Sequence, residues 1–194
     1  MERLAYAITD FLLRRQVIKQ EEYEIYLYGY SVLLEQLLQV TGFIVLGFVS
    51  GNIWYTAEFL VVFHLLRSSF GGYHADTSLQ CLLLSYGGWG AVMLCAHLFG
   101  TYKQIPLTFW VLLILDMGIL WILGPVAHAN KPLTKRQRIR NKRIGMVLLG
   151  IGALLAFLGR TCVVVDIVYI GTVTFVTVLA MVGKRKVGTK YEED

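Results

Sequence analysis

The stretch IPLTFWVLLILDMGILWILGPVA, residues 105–127, contains 23 residues and a single charged side chain, Asp116. A helix needs about 20 consecutive apolar residues to cross the hydrocarbon core of a bilayer. Five further apolar stretches occur along the chain, at 30–50, 52–66, 79–99, 144–159 and 162–182. Two of these, 52–66 and 144–159, are short for a span, and the second could instead be re-entrant. The pattern predicts an all-α, polytopic integral membrane protein with about six transmembrane helices.

The composition favours the same fold class. Of the 194 residues, 56% are hydrophobic and 16% are charged, whereas about 25% of residues are charged in soluble domains. The three cysteines are Cys81, Cys95 and Cys162, and the last two lie inside apolar stretches. An odd number of cysteines in such surroundings argues against a disulfide framework, so we expect three reduced thiols.

The placement of Lys and Arg predicts the orientation. With six spans, 16 of the 18 basic residues fall on one side of the membrane and 2 on the other. Cytoplasmic loops carry the excess of basic residues in membrane proteins. We therefore expect both termini, the 67–78 loop and the basic 128–143 loop to face the cytoplasm.

The N-terminal segment, residues 1–29, is more polar than the rest of the chain. Leu4, Ile8, Phe11 and Leu12 recur at helical spacing, which is typical of an amphipathic helix lying at a membrane surface. A cap packed on the helical bundle is an equal alternative. Residues 30–194 would then form the six-span domain.

A cluster of polar residues, RSSFGGYHADTSLQC at 67–81, separates the second and third apolar stretches. Gly71 and Gly72 accept positive φ angles, so they predict a sharp turn. If a residue shortly after the turn caps the next helix, Cys81 lies in its first turn or at the start of its second. Partial positive charge at a helix N-terminus lowers the pKa of a thiol. The three N-cap candidates are Asp76, Thr77 and Ser78.

His74 and Cys81 are seven residues apart. On one continuous helix they would share a face but lie about 10 Å apart, too far for a hydrogen bond. With His74 in the turn, the chain can bring the imidazole to the sulfur, and the pair could act as base and nucleophile. The structural alternative is a membrane-facing thiol and an interfacial histidine. No second Cys or His pair with ligand spacing lies nearby, so no metal site is predicted.

The stretch 67–81 resembles the accessory gene regulator protein B (AgrB) family, membrane cysteine endopeptidases of bacterial peptide quorum sensing. The shared order is Arg, Gly-Gly, His and, seven residues later, Cys. A second stretch, GPVAHANKPLT at 124–134, resembles the Pro-Val…Asn-Lys-Pro-Leu segment of the family. Length and the six-span pattern agree over nearly the whole chain. His128 departs from the family, in which acidic residues are frequent at this place.

The resemblance implies that Cys81 is the catalytic nucleophile and that His74 is its general base and later its acid. Asp76 is either a third member that orients His74 or a helix cap. Two of the other implied residues, Arg67 and Gly72, match positions associated with activity in the family. The implied supporting or substrate-binding residues are Arg67, Gly72, Asp76, Lys131 and Pro132.

Members of this family cleave the C-terminal part from a small AgrD-type precursor peptide and help to cyclise the remainder into a thiolactone or lactone autoinducer. The resemblance therefore implies a multi-pass protein of the bacterial cell membrane, with an AgrD-type peptide and membrane lipids as partners. No cofactor and no nucleic-acid partner is expected, and a homodimer stays open.

A small transporter or channel is the alternative function. Ionisable residues inside apolar stretches are energetically costly and often mark a conducting pathway. Four acids lie in such surroundings: Glu35, Glu58, Asp116 and Asp166.

Overall fold

The computed structural model describes residues 2–73, 77–126, 134–159 and 162–192, apart from the side chains of residues 2, 78 and 186–192. These residues form seven α-helices and one 3-10 turn, Gln20–Glu22, and they contain no β-strand. The helices are α1 Glu2–Arg14, α2 Tyr23–Val49, α3 Ile53–Phe70, α4 Ser78–Phe99, α5 Leu107–Leu123, α6 Lys135–Gly159 and α7 Val163–Glu192.

Helices α2 to α7 correspond one to one with the six apolar stretches, so the prediction of an all-α polytopic membrane protein is confirmed. Four of them, α2, α4, α6 and α7, are long and apolar enough to cross a membrane. Helix α5 is apolar but has 17 residues, and α3 has 18 residues that include Glu58, His64 and Arg67.

Helix α7 is the centre of the bundle. It packs against α3, α4 and α5, and most of its apolar side chains between Ile167 and Ala180 are buried. Phe175 stacks on Phe59 and Phe63 of α3, with ring centroids 6.4 and 5.7 Å away. These contacts hold the middle of α3 against α7.

Buried polar side chains add hydrogen bonds between the helices. The Thr174 hydroxyl of α7 donates to Asp116 of α5 at 2.6 Å, and the Trp89 indole N–H of α4 donates to Thr56 Oγ1 of α3 at 3.1 Å. In an apolar medium such groups need partners, and bonds of this kind hold transmembrane helices together.

Helix α1 is most deeply buried at its small side chains, and its apolar stripe is half-buried at Ile8 and Leu12 and exposed at Leu4 and Phe11. Ala5 and Thr9 are fully buried, whereas Leu4 is 52% exposed and Phe11 57% exposed. The segment is tied to the start of α2 by the Tyr23 hydroxyl, which donates to Asp10 at 2.7 Å. The stripe therefore remains available to a membrane surface even though the helix is attached to the bundle.

The basic segment differs from the prediction of a loop over 128–143, because α6 already begins at Lys135. Thr134 and Gln137 form a capping box: Gln137 N donates to Thr134 Oγ1 at 3.3 Å, and Thr134 N donates to Gln137 Oε1 at 3.0 Å. This pairing satisfies free amides at a helix start, and Lys, Arg and Gln are good helix formers. The basic residues Lys135, Arg136, Arg138, Arg140, Lys142 and Arg143 thus occupy the first turns of a helix.

Candidate active site

The site is built where α3 ends, at the two adjacent glycines. Gly71 has φ +68° and Gly72 has φ +126°, so both occupy the region that favours glycine. The Gly71 amide still donates to Arg67 O at 2.9 Å, and the helix stops there. The predicted sharp turn at Gly71 and Gly72 is confirmed.

The end of α5 lies beside the end of α3. Val126 N donates to Phe70 O at 2.9 Å, and Gly71 forms an isolated parallel bridge with Val126. A side chain on Gly71 would collide with the Val126 carbonyl. The two stretches that resemble the AgrB family, 67–81 and 124–134, therefore meet at one end of the bundle.

Helix α7 forms the third side of this junction. The Tyr73 amide donates to Leu179 O at 2.8 Å, and Gly183, one turn further along α7, lies against the backbone of Gly72 and Tyr73. The absence of a side chain at Gly183 is what lets the two backbones approach this closely.

Arg67 closes the turn from inside. Its Nη2 donates to the Tyr73 carbonyl, so the side chain bends back over Gly72 and does not extend away from the bundle. A Cβ on Gly72 would collide with Arg67 Nη1 and would lie 3.1 Å from Leu179 O. Nη1 is buried and makes no hydrogen bond to any described residue.

Cys81 lies at the end of the first turn of α4. Thr77 is the N-cap, because its Oγ1 accepts from Gln80 N at 3.3 Å. The Cys81 amide donates to Thr77 O at 3.1 Å, and its side chain is half-buried. Of the three predicted caps, Thr77 is thus the one in place, and the expected position of Cys81 is correct.

Two charged residues contribute to the electrostatic environment of the Cys81 thiol. Arg67 of α3 and Glu35 of α2 both lie close enough to interact with it electrostatically. A positive neighbour favours a thiolate, whereas burial and a negative neighbour oppose it. Glu35 was not predicted as part of this site, and the one signal that could have indicated it was its position as an acid inside an apolar stretch.

The remaining predicted site residues, His74, Asp76, Lys131 and Pro132, lie outside the described residues. The other two thiols are elsewhere: Cys95 is on α4, towards the opposite end of that helix from Cys81, and Cys162 lies 4.0 Å from the Tyr55 hydroxyl. Within the described ranges, no group of three His, Cys, Asp or Glu side chains could hold a metal ion.

The four acids considered for a conducting path do not form one cluster. Asp116 accepts from Thr174, Glu35 lies near Cys81, and the other two acids line a separate cavity: Glu58 and Asp166.

A Gly72→Ala substitution should disrupt this site, because the new methyl group would displace the Arg67 guanidinium and require an unfavourable φ. We expect hydrogen exchange at the Tyr73 amide to become at least tenfold faster, since one lost hydrogen bond corresponds to about 1 kcal/mol and strain adds to it. Hydrogen–deuterium exchange with mass spectrometry measures this.

Gly124→Ala is the matched control, since Gly124 also has a positive φ but nothing lies within 4 Å of its Cβ position. It should change exchange at Tyr73 far less. Equal protection of the Tyr73 amide from hydrogen exchange in the Gly72→Ala protein and the parent would contradict the described contacts of the turn.

Comparison with known proteins agrees with this geometry. The family model for accessory gene regulator B, AgrB, matches residues 5–182. A protein of Halalkalibacterium halodurans described as "Putative AgrB-like protein" is 27% identical over 166 residues, which cover 83% of this chain and 79% of that protein. No solved structure matches the chain. The chain therefore belongs to the AgrB family, whose members act in accessory gene regulator quorum sensing.

Proposed function

We propose that this protein is a membrane-embedded cysteine endopeptidase that cleaves the C-terminal part of an AgrD-type precursor peptide and promotes cyclisation of the remainder. The observation that carries the proposal is the convergence of the two family-like stretches around Arg67 and Gly72, with Cys81 beside them. Cys81, the buried Arg67 guanidinium and Val126 thereby share one end of the bundle.

Cys81 is the nucleophile and His74 the general base in this mechanism. The Cys81 thiol gives its proton to the imidazole, and Sγ attacks the carbonyl carbon of the scissile peptide bond. The C–N bond breaks, the leaving amine takes the proton from His74, and an acyl-enzyme thioester remains.

Ring closure regenerates the enzyme. A thiol or hydroxyl within the bound N-terminal fragment loses its proton to His74 and attacks the thioester carbon, and the Cys81 thiolate leaves. One thioester is exchanged for another when the attacking group is a thiol, so this step changes the free energy little. Exclusion of water at the bundle end would protect the thioester from hydrolysis.

Arg67 contributes the positive charge next to the reacting sulfur. Its Nη2 is held by the Tyr73 carbonyl, while Nη1 has no partner among the described side chains. An unpaired buried guanidinium N–H is costly, and a thiolate at Cys81 or the oxyanion formed during attack would satisfy it. Gly72 supports this role because only glycine leaves space for the guanidinium.

Substrate recognition is assigned to the segment after Val126, which includes Lys131 and Pro132. Because Val126 is hydrogen-bonded to Phe70, this segment starts directly beside the Gly71 turn. The basic first turns of α6 follow it in the chain and would attract acidic lipid head groups or an acidic part of the precursor.

Cys81→Ala should abolish precursor cleavage and the covalent enzyme–peptide adduct while leaving the protein inserted in the membrane. Cys95→Ala and Cys162→Ala are the matched controls and should retain most of the activity, because those thiols lie away from Arg67. Co-expression with the precursor, followed by mass spectrometry of peptide and enzyme, measures both products. Cleavage by a well-inserted Cys81→Ala protein would exclude the proposed mechanism.

The protein is proposed to lie in the bacterial cell membrane with both termini and the active-site end in the cytoplasm. The basic residues from Lys135 to Arg143 motivate this orientation. In a variant that lacks Cys81, Cys95 and Cys162, a cysteine at position 135 should react with a membrane-impermeant maleimide only after the cells are permeabilised. Reaction in intact cells would require the inverted topology.

Helix α1 is proposed to lie in the membrane surface and to help present the precursor. Replacing Leu4, Ile8 and Phe11 by Ser removes most of its outward apolar area and should reduce cleavage several-fold without loss of insertion, because apolar area determines interfacial binding. Ala7→Ser, an exposed position on the same helix, is the control. Full cleavage by the inserted triple variant would show that the apolar side chains of α1 do not contribute to presentation of the precursor.

A further inference from the structure

A second cavity lies towards the other end of the same bundle. Its volume is about 410 Å³, and it lies between α3, α6 and the start of α7. It is open on one side, where Ile151 is 51% and Leu155 65% exposed. This size falls within the usual range of small-molecule sites, roughly 300–1,000 Å³. Its apolar lining includes Val62, Leu66, Leu148, Ile151 and Leu155.

The polar groups of this cavity are concentrated at one end. Glu58 lies in the second turn of α3 and Asp166 in the first turn of α7, and Cys162 lies just before α7. From Glu58 to Leu66 the cavity follows α3 for about 12 Å at 1.5 Å per residue. The acidic end therefore points away from the Gly71 turn, and the apolar end points towards it.

Asp166 is the more deeply buried of the two carboxyl groups at this acidic end. It is 5% exposed, lines the cavity, and accepts no hydrogen bond from any residue in the described part of the chain. Two tyrosine hydroxyl groups of this region are engaged elsewhere: Tyr169 donates to Leu149 O at 2.8 Å, and Tyr55 faces the Cys162 sulfur. Asp116, which is equally buried, has its donor in Thr174.

Glu58 supplies the second carboxyl group at this end of the cavity. Glu58 and Asp166 interact electrostatically, and two neighbouring carboxylates repel each other in a low-dielectric interior. A buried charge requires a counter-charge or hydrogen-bond donors. An ammonium group supplies both, because it carries one positive charge and three N–H donors.

We propose that this cavity binds a single-chain amphipathic amine, with its ammonium group between Glu58 and Asp166 and its apolar chain along α3 towards Leu66. The polarity gradient of the cavity selects this class over fatty acids, whose carboxylate the two acids would repel, and over alcohols of the same length, which carry no charge. This binding function is separate from peptide cleavage.

The test uses two photoreactive probes, a decylamine and a decanol that carry the same diazirine near the end of the chain. The full-length protein is placed in phosphatidylcholine nanodiscs, which contain no primary amine, and irradiated with each probe. Mass spectrometry then locates and quantifies the labelled residues. We expect the amine to label α3, α6 or α7 residues of the cavity at least tenfold more than the alcohol does.

The Glu58→Gln and Asp166→Asn double variant should lose this preference, since a hydrogen bond to a charged group corresponds to at least a tenfold difference in affinity. Asp116→Asn, a buried acid outside the cavity, is the matched control and should label like the parent. Ile151→Trp should reduce labelling by both probes by narrowing the cavity without changing its charge.

Equal labelling by the amine and the alcohol would overturn the proposal, because the cavity would then accept alkyl chains without selecting a charge. Retention of the amine preference in the double variant would also overturn it. Neither result depends on peptide cleavage, so failure of this proposal and failure of the peptidase proposal are distinguishable.

Discussion

Backbone groups that leave a helix inside a packed bundle must find partners within the protein, because an unpaired buried polar group is costly. The turn at Gly71 and Gly72 meets this constraint through three neighbours. The Phe70 carbonyl accepts from Val126, the Tyr73 amide donates to Leu179, and the Tyr73 carbonyl accepts from Arg67. The end of α3 is therefore fixed by the end of α5, by the middle of α7 and by its own last turn. Loss of any one of these contacts would leave a polar group unsatisfied.

This arrangement explains why Arg67 and Cys81 lie next to a turn and not along one helix face. The turn brings Arg67, on the last turn of α3, towards Cys81, on the first turn of α4. Along a transmembrane helix, each side chain faces either a neighbouring helix or lipid. A glycine turn braced on three sides provides irregular backbone for substrate contacts without exposing that backbone to lipid.

The fold could be predicted from the sequence because hydropathy directly reports which segments enter the bilayer. Local patterns in the sequence predict the six helices, the glycine turn and the helix cap that precedes Cys81. The meeting of Val126 with Phe70 could not be predicted in the same way, because packing between transmembrane helices depends on close approach of small residues and not on hydropathy. For the same reason, the proximity of Glu35 to Cys81 could not be predicted, because the two residues lie on different helices.

The sequence also gives a wrong prediction where a run of charged residues is interpreted as a loop. The Lys and Arg residues from 135 to 143 are good helix formers, and Thr134 with Gln137 starts the helix. These charged side chains therefore lie on the first turns of α6, and the direction of that helix determines their position. Gly145 on this helix packs against Phe70 and Ser69 at the end of α3, so the basic turns are anchored next to the glycine turn.

Helices α3 and α7 carry polar groups at both ends and apolar packing between them. On α7, Asp166 lines the cavity and Leu179 binds the Tyr73 amide, about 20 Å further along the helix at 1.5 Å per residue. The stacked rings of Phe59, Phe63 and Phe175 lie between these two positions. This apolar layer separates the carboxyl groups of the cavity from the end of the bundle at which Arg67 and Cys81 lie.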